Sequence, residues 1–151
     1  MVAGTRRCLK RSIRAGRHGI VYRRLRTAET AEVIEVSALV DDLYKHIDSK
    51  DARGFAAFFA EDGKFTFGNA PTVTGPPAIE SACEQFFSSL QDLDHEMRNV
   101  WNIDDTVICE VTVMYRTRDG RNLDLPAANI IRHHDGVVTD YRIFMDVSPL
   151  F

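Results

Sequence analysis

The sequence predicts one α+β domain over residues 27–151, in which about three N-terminal helices close a curved antiparallel sheet into a cone-shaped barrel. Two observations carry this. Apolar residues recur every three or four positions up to Asp94 and every second position after it. Asp119-Gly120 and Asp135-Gly136 then separate β-rich runs, and Asp-Gly in that setting is the strongest short-range hairpin signal. Strands of this length must curl and bury one face against the helices, which leaves an apolar pocket at the open mouth. A chain of 151 residues is one domain by length and buries about two-thirds of its unfolded surface.

The first helix is marked by Val33, Val36, Val40, Leu43 and Ile47, with Leu39 and Tyr44 widening the stripe and Thr27 or Thr30 as its cap. Asp51 caps a short second helix carrying Phe55, Phe58 and Phe59, which Glu61-Asp62-Gly63 ends. Lys64 to Gly68 reads as a short strand. Gly75 and Pro76-Pro77 introduce a third helix with Ile79, Ala82, Phe86 and Leu90 inside, since proline fits a helix's first turn. Four strands follow, near 95–103, 106–117, 121–133 and 137–147.

Charge is unevenly placed. Residues 1–28 hold nine Lys/Arg and no acid, whereas the rest carries a net −12, giving −3 in total. The acidic body has no basic stripe, which argues against nucleic acid as its partner. Residues 1–26 read as a basic, disordered leader; an organellar presequence and a phosphate- or lipid-binding arm are its other readings. Cys8, Cys83 and Cys109 are odd in number and far apart, so they read as free thiols of a reducing, cytoplasmic compartment. No apolar run is long enough for a membrane span.

Several stretches carry a resemblance in this order: Asp48-Ser49-Lys50-Asp51 through Phe58-Phe59-Ala60-Glu61-Asp62, Gly75, His95-Glu96 to Trp101, Asp135-Gly136, and Tyr141-Arg142-Ile143-Phe144-Met145-Asp146. Over about residues 33–151 the chain resembles the nuclear transport factor 2-like superfamily, and within it the SnoaL-like branch. The resemblance implies a homodimer through the sheet and a pocket for a small apolar molecule. Members include polyketide cyclases, ketosteroid isomerases, epoxide hydrolases, dehydratases and proteins without catalysis, so fold does not select function.

The resemblance also assigns positions. A ketosteroid isomerase places its carboxylate base at Phe67, its Asp donor at Ala128 and its Tyr at Leu43, with Tyr44 one residue out of register; all three groups are missing. Against epoxide hydrolases of the limonene type, Arg142 and Asp146 match. Their Arg-x-Asp becomes Glu110-Val111-Thr112, and their second Asp becomes Ile143. Against the dehydratases, Asp48 and His95 stand where an Asp at the end of helix one and a His at the start of the sheet are used. A carboxylate beside an imidazole is sensible proton-transfer machinery, because the ring titrates near neutrality.

His95, Asp48 and Glu110 are therefore the candidate catalytic residues. Each has a plainer reading: a hydrogen-bonded strand histidine, a helix-end turn former and a solvated edge residue. The pocket lining expected from alignment is Tyr44, Phe67, Trp101, Thr112, Ala128, Tyr141 and Ile143, with Glu110 on the same face. Arg142 and Asp146 share a face and read as an ion pair or dimer contact. His133-His134 does not read as a metal pair, because neighbours on a strand point to opposite faces. No phosphate loop or nucleophile motif occurs, so neither metal nor cofactor is expected. Two functions follow: a cofactor-free dehydratase, isomerase or cyclase acting on a small hydrophobic molecule, or a non-catalytic ligand-binding or dimeric interaction module.

Overall fold

The computed structural model describes residues 22–24 and 30–151, with side chains from Ser37 onward. Helices α1 (Thr30–Asp48), α2 (Ala52–Ala56) and α3 (Pro76–Ser89) pack on one curved sheet. Its strands are β1 (Tyr22–Arg24), β2 (Phe59–Phe67), β3 (Val73–Thr74), β4 (Leu90–Ile103), β5 (Thr106–Thr117), β6 (Asn122–His134) and β7 (Val137–Phe144). Their order is β1-β4-β5-β6-β7-β2-β3. The sheet is mixed and open: β1 runs parallel to β4 and β2 parallel to β7, and β1 and β3 remain as separate edges.

Three details differ from expectation. Tyr22–Arg24, inside the expected leader, pairs with Val100, Trp101 and Asn102 as an edge strand; the remainder of residues 1–26, and Thr27, lie outside the described residues. Val33 and Val36 lie outside the described side chains. Second, Phe58, Phe59 and Glu61-Asp62-Gly63 do not belong to the second helix. The aromatic pair favours extended backbone, and Val138 N–H donates to Phe58 O at 2.8 Å, so β2 starts at Phe59. Third, β4 begins five residues early, directly from the end of α3.

The turns follow from their chemistry. Asp135 and Gly136 both take positive φ (49° and 78°), as a two-residue hairpin requires. Gly75 caps α3 at φ 84°, and a Cβ there would lie 2.9 Å from Glu61 O, so only glycine serves both the angle and the approach. Among the described residues, no helix is long and apolar enough to cross a membrane.

The core lies between α1 and the concave face. Leu39, Val40, Leu43 and Ile47 share one buried cluster with Val107, Cys109, Val111, Val113 and Tyr115, which alternate along β5. Phe55, Phe59, Phe65 and Tyr141 form an aromatic cluster under α2, with ring centroids 5.2–6.4 Å apart. Cys83 and Cys109 are buried and unpaired, and burial pushes both thiols up to about 12.

Candidate functional site

Asp48 is the last residue of α1, and the chain leaves the helix through Lys50 in the left-handed region at φ 56°. His95 lies on β4 opposite Val113, on the concave face. Their side chains meet, with His95 Nδ1 2.5 Å from Asp48 Oδ1. The imidazole side chain is only 8% exposed and the carboxylate 29%. Since an ionised carboxylate only accepts, Nδ1 carries the hydrogen, leaving the Nε2 lone pair free to take a proton.

The carboxylate is held against three opposing effects. Burial raises its affinity for a proton, the neighbouring Asp94 carboxylate raises it further, and the C-terminal end of a helix disfavours negative charge. Only His95 pulls the other way, through its hydrogen bond and its electrostatic attraction. A buried carboxyl whose proton affinity is raised, bonded to a histidine, marks a candidate site on physical grounds.

Tyr44, one turn before Asp48, sets its ring edge against His95 at a centroid distance of 5.0 Å. Its hydroxyl reaches Asn129 Nδ2 at 2.5 Å, and the same amide donates to the Tyr141 hydroxyl at 3.4 Å. Asn129 is 1% exposed, and its Oδ1 has no hydrogen-bond partner. Burial raises both phenols above their ordinary range, so they stay protonated. A polar line therefore crosses the concave face from Asp48 through His95, Tyr44 and Asn129 to Tyr141. Beside it the surface is apolar and incompletely covered. Met97, Leu125 and Ile143 pair with the inward residues Val111, Val113 and Asn129, yet each is only partly buried.

The expected site residues divide. Tyr44, Phe67, Tyr141 and Ile143 lie on the concave side with His95 and Asp48. Glu110, Thr112 and Ala128 do not. On β5 the odd-numbered residues are buried, so Glu110 and Thr112 point outward. Glu110 there accepts from Asn99 Nδ2 at 2.7 Å, Arg98 Nε donates to Thr112 Oγ1 at 3.2 Å, and Ala128 is exposed. Trp101 also faces outward, because an irregularity between Met97 and Asn99 reverses the phase of β4: His95 is inward before it, Val100 after it. Asn129 had escaped the sequence reading. Its signal was an asparagine inside an apolar strand run, where that residue is depleted.

Arg142 and Asp146 are not paired with each other. Arg142 Nε donates to Asp140 at 3.0 Å, and Asp146 accepts from Ser148 N–H; the Ser148 side chain, with that N–H, holds its carboxyl below the usual range. His134 is exposed beside Asp135. His133 is half-buried, with neither ring nitrogen bonded. Among the described residues, no group of three or more metal-capable side chains occurs.

Comparison with known proteins places this geometry. The family model of the SnoaL-like domain matches residues 40–141. A putative SnoaL-like polyketide cyclase from a Jannaschia species superposes with TM-score 0.71 at 18% identity, over 83% of this chain and 94% of that one. A Catenulispora acidiphila protein with a ketosteroid isomerase-like fold, in complex with trimethylamine, gives 0.69 at 15% identity over 73% and 86%. An LEH-like epoxide hydrolase of M. tuberculosis gives 0.65 at 13% identity over 76% and 84%. At these identities the likeness shows the fold alone. Among curated proteins none matches.

Proposed function

Because the chain belongs to the SnoaL-like domain family, we propose that its concave face binds a small hydrophobic molecule and that His95 moves a proton on it without a cofactor. The observation that carries this is the 2.5 Å bond between His95 Nδ1 and Asp48. Nε2 is the acid–base atom, Asp48 fixes the tautomer, and Met97, Leu125 and Ile143 offer the apolar contact. Dehydration, isomerisation and cyclisation all need this and no electron transfer. Native mass spectrometry of the freshly purified full chain is expected to show an apolar molecule retained on the subunit. Incubated with the protein in D2O, that molecule is expected to take up deuterium at carbon, and His95→Gln to abolish the uptake. Exchange unaffected by His95→Gln would overturn the catalytic role.

A second reading, a binding module without catalysis, draws on the missing carboxylates, since Phe67, Ala128, Thr112 and Ile143 stand where related enzymes carry theirs. Retained ligand with no exchange would favour it.

We also propose that the outer sheet face joins two copies. Trp101, Ile108 and Ile130 lie in one row across it, and Phe144, 53% exposed, pairs with Ala128 beside them. Apolar groups clustered on the open face of a sheet favour a protein contact. Phe144→Arg is expected to shift the chain from dimer to monomer in sedimentation velocity at micromolar concentration. A monomeric wild type would end this reading. The buried, unpaired Cys83 and Cys109 support a cytoplasmic site for the protein.

A further inference from the structure

A groove of about 230 Å³ opens at the far end of the sheet, under the turn joining β5 to β6. It is separate from the His95 site, since its Leu90 and Thr117 pair with each other five residues along β4 from His95. Phe86, Leu90 and Leu150 form its apolar floor, and Arg118 and Arg121 stand at its wall.

The turn presents these guanidinium groups in fixed orientation. Thr117 N–H donates to Arg121 O at 3.0 Å, Gly120 N–H to Thr117 O at 3.0 Å, and Gly120 takes φ 87°. Thr117 Oγ1 bonds Asp119 and accepts from Arg121 N–H. Each arginine is then anchored through Nε: Arg118 to Ser88 O at 2.6 Å, Arg121 to Asp119 at 2.8 Å. Arg121 Nη1 also donates to Pro149 O at 2.8 Å. Among the described residues, both terminal nitrogens of Arg118 and Nη2 of Arg121 remain as donors. Asp119 and Phe151 line the groove as well, and Asp119 offsets the charge of Arg121, so Arg118 is the guanidinium left without a carboxylate partner among the described residues.

We propose that this groove binds a small apolar carboxylate, its oxygens on Arg118 and Arg121 and its chain or ring on Phe86, Leu90 and Leu150. Guanidinium nitrogens in a fixed plane match the two oxygens of a carboxylate, and charge-assisted bonds of this kind are the stronger ones. The volume lies below the roughly 300 Å³ at which pockets for drug-sized ligands begin, so the acid is a single ring or a medium chain.

The test uses the isotopically labelled full chain titrated with octanoate and, as its uncharged counterpart, 1-octanol. Octanoate is expected to shift the amide resonances of residues 117–121 and Leu150, and to bind at least tenfold more tightly than octanol. Arg118→Gln removes two free donors and the exposed bond to Ser88 O but leaves the turn's own bonds, and is expected to weaken octanoate about tenfold with little change in melting temperature. Equal binding of acid and alcohol would overturn the proposal, as would indifference to Arg118→Gln or no response at residues 117–121. Shifts confined to Met97, Leu125 and Ile143 would also overturn it, while supporting ligand binding on the concave face.

Discussion

Phe55→Ala is expected to cost about 3–5 kcal/mol of folding stability, the usual range for removing a buried phenylalanine ring. Phe55 is 1% exposed and touches Phe59, Phe65 and Tyr141. It also anchors α2, a helix of five residues, which is far too short to persist without tertiary contacts. Losing the ring therefore opens a cavity and releases the segment that follows α1. Against a total of about 5–15 kcal/mol, this brings the domain near its unfolding threshold. Urea denaturation checks it: a much lower midpoint at an unchanged slope is expected, with exposed Val137→Ala as the control. A loss below about 1 kcal/mol would show that the cluster repacks around the gap.

The second large effect is expected at the histidine–carboxylate pair, where stability and function move in opposite directions. Asp48→Asn keeps the shape but removes the charge, and its amide can donate to Nδ1, driving the ring hydrogen to Nε2. A loss of about 10²–10⁴-fold in proton-transfer rate is then expected. Stability should behave differently. Burial raises the folded-state proton affinity of Asp48 above that of the unfolded chain. Such a group contributes stability that is fully present below its unfolded pKa and lost as pH rises through its folded pKa. At neutral pH the wild type has lost that contribution, whereas Asp48→Asn has no charge to bury. Its melting temperature should equal or exceed the wild type's at pH 7, the difference closing as the solution is acidified through the carboxylate range. A marked drop at pH 7 would instead make Asp48 a structural partner of His95.

Much of the fold was legible because its signals are local. The change of period after Asp94, the two Asp-Gly turns and the Gly-Pro-Pro start of α3 depend on residues close in sequence. The start of β2 was not legible, since Phe59 is extended only because β7, almost eighty residues later, supplies its partner Val138. Within the site, the outward placement of Glu110 was readable: Val107, Cys109, Val111 and Val113 form the apolar phase of β5, whereas the family resemblance assigns Glu110 to the pocket face. No such pattern announced the outward turn of Trp101, because one irregularity in β4 reverses the alternation.

What the sequence by itself determined is thus the α+β domain, its turns, and His95 and Asp48 as residues worth pairing. What only the tertiary structure decided is which face each strand shows and which distant polar groups converge. Alternation fixes two faces but not the phase across an irregularity. The line from Asp48 through His95 and Tyr44 to Asn129 and Tyr141 draws on α1, β4, β6 and β7, brought together by burial of the core.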